Sequence, residues 1–130
     1  MKPEYSVSVL HVSNVEASIK YYTGVLGFSV DFRYKDLAGV VSGNVVIYLS
    51  GPAQDAKKKI GEGSVYIFCD EVNEYCNNII ARGALIAIPI NDREYGMRDF
   101  AISDPDGNSI TFGSDSDEQY KRRRNLKLEI

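Results

Sequence analysis

Two helix-compatible stretches, each preceded by one strand-like run and followed by three, constrain this chain more than any other feature of its sequence. Residues 5–12 (YSVSVLHV) are rich in β-branched and apolar side chains and read as a strand. Asn14 then stands where a helix N-cap belongs, and Val15, Ile19, Tyr22 and Leu26 follow at helical spacing. Gly27 closes that helix at the position where a positive φ costs glycine little. Three strand-like runs come next, 28–34, 38–42 and 45–50, the last two joined by the turn residues Gly43 and Asn44.

After a Gly- and Lys-rich linker (51–63) the pattern restarts. Residues 64–69 read as a strand, and Asp70 or Glu71 opens a helix carrying Val72, Cys76, Ile79 and Ile80. Gly83 ends that helix as Gly27 ends the first. Runs at 84–89, 98–103 and 109–113 make three more strands, with DPDGN (104–108) as the last tight turn. Val15 maps onto Val72, an offset of 57 positions (72 − 15), and Gly27 falls near Gly83. A repeated unit of this size cannot bury its apolar face alone, so the repeat predicts an α+β fold of two βαβββ modules. Their mixed, curved sheets should leave a concave cleft opposite the helices. The modules are expected at about 5–50 and 64–113, within one domain over 1–118, with a basic tail at 119–130.

The strings SNVEASIKYYTGVLGF (13–28) and SDPDGNSITF (103–112) resemble the opening and closing signatures of the vicinal-oxygen-chelate superfamily, which includes glyoxalases, dioxygenases and bleomycin-resistance proteins. Between them, LGFSVDFRYKDLAGVVSGNVVIYLS (26–50) and EYGMRDFAISDPDGN (94–108) look more like the bleomycin-resistance proteins than the glyoxalases. The resemblance spans about residues 5–118. It implies that most enzymes with this fold hold a divalent metal with four side chains on the concave sheet face. Carried over by motif context, those positions fall on Val7, Tyr48, Ser64 and Thr111. Valine has no donor atom, and neutral tyrosine, serine and threonine are poor ligands, so no metal, no other cofactor and no catalytic residue is expected.

Strand alternation in 45–50 puts Val45, Ile47 and Leu49 on one face and Val46, Tyr48 and Ser50 on the other. The first set is the better helix-facing core, which leaves the second for the cavity. The same reading assigns Ser64, Tyr66 and Phe68 to the cavity, together with Thr111 and Gly113. A wall of rings and hydroxyls without a strong base suits a planar, polar guest. In bleomycin-resistance proteins the drug is sequestered in grooves between two subunits, and the resemblance maps groove residues onto Leu37, Ser50, Tyr66, Tyr95 and Gly113, with Asp31 and Phe32 as further candidates. The chain has no tryptophan. The resemblance implies tryptophan or phenylalanine at several of these positions in the family's drug binders, where this chain has Tyr66, Tyr95 and Leu37.

Charge distribution points the same way. The 130 residues carry a formal net charge of −3, but Lys121, Arg122, Arg123, Arg124 and Lys127 all lie in the last twelve. The rest of the chain is strongly acidic, which attracts cationic small molecules and repels nucleic acid. The KRRR run has no aromatic or Gly-rich companion motif and reads as a solvated terminus. Cys69 and Cys76 fit neither a metal finger nor a disulfide framework and are expected to be buried, inert thiols. His11, the only histidine, shares a face with Val7 and Val9, either as a structural residue or at the cavity edge. Asp70, Glu71 and Glu74 suit a helix N-terminus. No apolar run is long enough to span a membrane and no secretory leader is evident, so a cytoplasmic protein is expected.

The function these readings favour is a metal-free binding protein and not an enzyme. It would be a homodimer, often in this family with the first strand exchanged between chains, and would hold a cationic or aromatic antibiotic-like molecule, bleomycin among its candidates. Two alternatives stand beside it: a metal-dependent glyoxalase- or dioxygenase-like enzyme whose site lies elsewhere, and an interaction protein with a vestigial cavity.

Overall fold

A computed structural model describes residues 1–54 and 59–116. The basic tail and the middle of the linker lie outside the described residues. The elements run β1 (Ser8–His11), α1 (Val15–Gly24), β2 (Ser29–Tyr34), β3 (Leu37–Ser42), β4 (Val45–Ser50), β5 (Ser64–Phe68), α2 (Val72–Ala81), β6 (Leu85–Asp92), β7 (Met97–Ser103) and β8 (Ser109–Asp115). They form two mixed four-stranded sheets, ordered β1-β4-β3-β2 and β5-β8-β7-β6. In each sheet the first strand of the module pairs in parallel with its last, and the other pairs are antiparallel. Two βαβββ modules with the expected order are therefore present.

Each helix presents one stripe to its own sheet: Val15, Ser18 and Tyr22 in α1, Val72, Cys76 and Ile79 in α2. These meet the inward residues of the strands, Leu10, Val40, Ile47 and Leu49 in the first sheet and Ile67, Phe100, Ile102, Ile110 and Phe112 in the second. One core cluster contains residues of both modules. Each fully buried aliphatic side chain there contributes about 1.5–3 kcal/mol of transfer free energy.

The DPDGN turn ties the modules together. Asp104 Oδ1 accepts from the amides of Asp106 and Asn108, while Oδ2 accepts from the Tyr22 hydroxyl at 2.8 Å and from Asn108 Nδ2 at 3.0 Å. Asn108 accepts in turn from the Gly63 amide and donates to the His11 carbonyl. Strand β1, helix α1 and the entry to β5 thus converge on the two buried ends of one turn, Asp104 and Asn108. Burial and the adjacent Asp104 carboxylate together push the Tyr22 phenol far above its ordinary pKa.

Several local expectations are corrected. The first strand is only four residues long, Ser8–His11 within the expected 5–12. Regular helix in α1 stops at Gly24, and the positive φ at Gly27 (+83°) follows as the Phe28 amide returns to the Tyr22 carbonyl. The sixth strand runs on past Pro89 to Asp92. It is the edge strand, with register shifts on both sides of Ile88, so a proline costs it no ladder partner. The second helix does open at Glu71, as expected, but in the left-handed region (φ +48°) and without the side-chain cap that α1 has, where Asn14 accepts from the Ala17 amide.

Candidate functional site

The face of each sheet opposite its helix carries aromatic residues of its own, apart from the core rings Phe100 and Phe112. In the first sheet Gly39 is in register with Phe32 on one side and Tyr48 on the other. A Cβ at Gly39 would collide with the Phe32 ring, so only glycine lets that ring lie across β3. Phe32 thereby reaches Tyr48, centroids 5.1 Å apart at 81°. Val9, next in the same row, is exposed. Leu37 pairs with Ser50, and Ser50 with His11. Asp31 is exposed at the irregularity in β2 between Val30 and Phe32.

The second sheet repeats the device with a charge beneath it. Tyr66 lies across β8 at Gly113, where a Cβ would strike its hydroxyl. Its O–H donates to Asp99 Oδ2 at 2.8 Å. The Tyr95 hydroxyl, from the turn before β7, donates to the same oxygen. Arg93 Nε donates to Asp99 Oδ1 at 2.8 Å, and its Nη2 reaches the carbonyls of Asp99 and Pro89. Asp99 is 3% exposed, while Tyr66 and Tyr95 are 39% and 54% exposed. The carboxylate is therefore enclosed and the rings that cover it face outward. Phe68 extends the surface, its ring 5.2 Å from that of Tyr66.

Electrostatics follow from this enclosure. Burial pushes the Asp99 carboxyl up, but hydrogen bonds from Tyr95, Arg93 and Tyr66 outweigh it and hold Asp99 below the usual aspartate value. Burial, then the bond to Asp99, drives the Tyr66 phenol well above the ordinary range; at Tyr95 the bond to Asp99 leads.

Among the sequence-predicted residues the structure brings Phe32 and Tyr48 together on the first sheet, and Tyr66, Phe68, Tyr95 and Thr111 on the second. Gly113 lies beneath the Tyr66 ring and Ser50 is buried, so both shape the surface more than they offer it. Ser64 is exposed at the start of β5, and Leu37 is half-buried. Val7 precedes β1, and in register Val9 faces Tyr48. Val7, Tyr48, Ser64 and Thr111 supply no carboxylate, imidazole or thiolate, a donor set that does not fit a divalent metal. Among the described residues no three His, Cys, Asp or Glu side chains converge. Cys76 is buried and Cys69 half-buried, and burial raises both thiol pKa values. His11 holds the Asn108 contact through its carbonyl, and its Nδ1 is buried without a partner among the described residues.

Asp99 and Arg93 were missed in the sequence. Alternation along 97–103 places Asp99 on the same face as Ala101 and Ser103, opposite the core residues Phe100 and Ile102, and that was the available signal. A cleft of about 360 Å3 is walled by Phe28, Ile67, Tyr75 and Phe112, with Glu71 and Glu74 also lining it. Of the sequence-predicted residues only Phe68 lines it.

Comparison with known proteins gives this arrangement a family. The model of the glyoxalase/bleomycin resistance protein/dioxygenase superfamily matches residues 7–112. The chain belongs to that superfamily. Solved structures with the glyoxalase fold include the bleomycin-binding protein of bleomycin-producing Streptomyces verticillus in complex with copper(II)-bleomycin (25% identity, 86% of this chain and 96% of that one, TM-score 0.72). They also include TioX from Micromonospora sp. ML1 (18%, 85% and 99%, TM-score 0.73) and lactoylglutathione lyase from Agrobacterium tumefaciens (22%, 87% and 96%, TM-score 0.70). A search of the curated proteins found no match. As a glyoxalase-superfamily member the chain has relatives that are named as enzymes and relatives named for binding a drug, and its own side chains must decide between them. No helix among the described residues is long and apolar enough to cross a membrane.

Proposed function

We propose that this protein binds a flat, cationic or aromatic, antibiotic-like small molecule without metal and without transforming it, in a groove built from the open sheet faces and shared between two copies of the chain. The observation that carries this reading is the pair of aromatic surfaces, Phe32–Tyr48 and Tyr66–Phe68 with Tyr95, on the faces where enzymes of this fold would hold their metal. Rings supply large contact area and attract cations over their faces. The acidic sequence outside the tail raises the local concentration of a cationic guest. Likeness to the bleomycin-binding protein at 25% identity supports the same class of ligand.

The runner-up, a metal-dependent glyoxalase- or dioxygenase-like enzyme, draws on the likeness to the lactoylglutathione lyase, which at 22% identity is one of fold. The two readings separate on purified protein. Metal analysis is expected to find no stoichiometric divalent ion, and the protein is expected not to isomerise the methylglyoxal–glutathione hemithioacetal. One tightly held Ni, Zn, Fe or Mn per chain would overturn the metal-free reading.

A further inference from the structure

Within the binding reading just proposed, on which this inference rests, we infer that Asp99 is the positioning residue of the groove: by taking the hydroxyl protons of both Tyr66 and Tyr95, it turns their outward surface into one that accepts hydrogen bonds but cannot donate them, and so selects flat cations that bring their own N–H donors.

The geometry leaves each hydroxyl one arrangement. A phenol has a single proton, and Tyr66 and Tyr95 both direct theirs at Asp99 Oδ2. The other carboxylate oxygen is taken by Arg93 Nε, and the residue is 3% exposed, so no guest reaches Asp99 directly. Arg93 gives its Nε and Nη2 to Asp99 and the Pro89 carbonyl. What remains outside is two ring faces and the free lone pairs of two phenol oxygens. Donation to an anion also enriches both rings in electron density, which strengthens their attraction for positive charge. Tyr66 comes from β5 and Tyr95 from the turn between β6 and β7, so one carboxylate fixes two independently placed rings. A guest with amino or amidinium N–H groups satisfies those oxygens. A guest of equal shape and charge with no donor leaves them unmatched.

The test uses two flat acridine cations, 9-aminoacridine, which carries N–H donors, and 10-methylacridinium, which has none. Calorimetry on the full-length protein is expected to show 9-aminoacridine binding about tenfold more tightly, the worth of one or two hydrogen bonds. Asp99→Asn should bring the two affinities within about twofold. Tyr66→Phe/Tyr95→Phe, which leaves Asp99 in place, should do the same by removing the acceptor oxygens. Tyrosinate absorbance against pH gives a readout that needs no ligand. In Asp99→Asn the Tyr95 phenol, raised first by its bond to Asp99, should titrate closer to the ordinary value of about 10, while Tyr66, which burial still raises, should move only part of the way; circular dichroism at the same pH values shows that the fold is intact. Equal binding of the two cations to the wild type, or an unchanged phenol titration in Asp99→Asn, would overturn the inference and leave the binding reading standing. Absence of binding by both cations to the wild type would overturn the binding reading and this selection with it.

Discussion

Asp99 lies under two phenols and a guanidinium, and that placement also governs how the protein responds to acid. Its carboxyl is held below the ordinary aspartate value because the charged form accepts three side-chain hydrogen bonds. A group whose folded pKa is depressed adds stability that is complete above its unfolded pKa, about 4, and is lost as the pH falls through the folded value. The wild type should therefore lose Tm below about pH 4 more steeply than Asp99→Asn, which has no carboxyl to protonate there. Thermal melts at a series of pH values check this, and parallel acid limbs in the two proteins would contradict it. Asp99 also marks where sequence reasoning stopped. Alternation assigns the residue to a face, but only the assembled sheet shows that a tyrosine on β5 and another in the turn before β7 end within hydrogen-bonding distance of it. The glycines tell a similar story. Gly113 was expected to contact a guest, and its work is to leave room for the Tyr66 ring.

At the scale of elements, the DPDGN turn is the most demanding piece of the fold. Asp104 and Asn108 are buried, and their side chains satisfy groups from α1, from β1 and from the chain entering β5. Asp104→Ala leaves the Tyr22 hydroxyl and two turn amides without their acceptor, and is expected to cost about 2–3 kcal/mol in urea denaturation, more than a typical surface change of about 0.5 kcal/mol. A loss no larger than the surface value would show that the turn does not staple the modules. The element order was legible because the repeat carries it twice. Asn14 caps α1 as read, and Gly83 ends α2 with the amides of Gly83 and Ala84 returning to the carbonyls of Ile80 and Ile79. Boundaries were legible only where side-chain chemistry sets them. Pro89 looked like a strand end because a proline cannot donate to a ladder, and the edge position of β6 removes that objection. Glu71 in the left-handed region has no sequence signature at all, since a glutamate rarely adopts it.

Taken as a whole molecule, the chain leaves Val9, Val30, Tyr66, Phe68, Leu85, Ile88 and Tyr95 exposed. Where such side chains meet, as Tyr66, Phe68 and Tyr95 do, the exposed surface marks a partner or a ligand. Light scattering at micromolar concentration is expected to give twice the chain mass of 14.5 kDa, a homodimer that covers part of this surface; a monomer would count against a groove shared between copies. Whether the open faces hold a flat cationic guest on tyrosine rings is measured most directly by a calorimetric titration of the wild type, Tyr66→Ala, Tyr95→Ala and Tyr5→Ala with bleomycin and a panel of cationic aromatic antibiotics. The expected result is binding by at least one compound, weakened by about 0.5–2 kcal/mol for each groove ring removed and unchanged by loss of the exposed Tyr5, which precedes β1. If no compound binds, or if removing Tyr66 and Tyr95 changes nothing, the protein does not sequester such a guest on these faces and its cavity is vestigial.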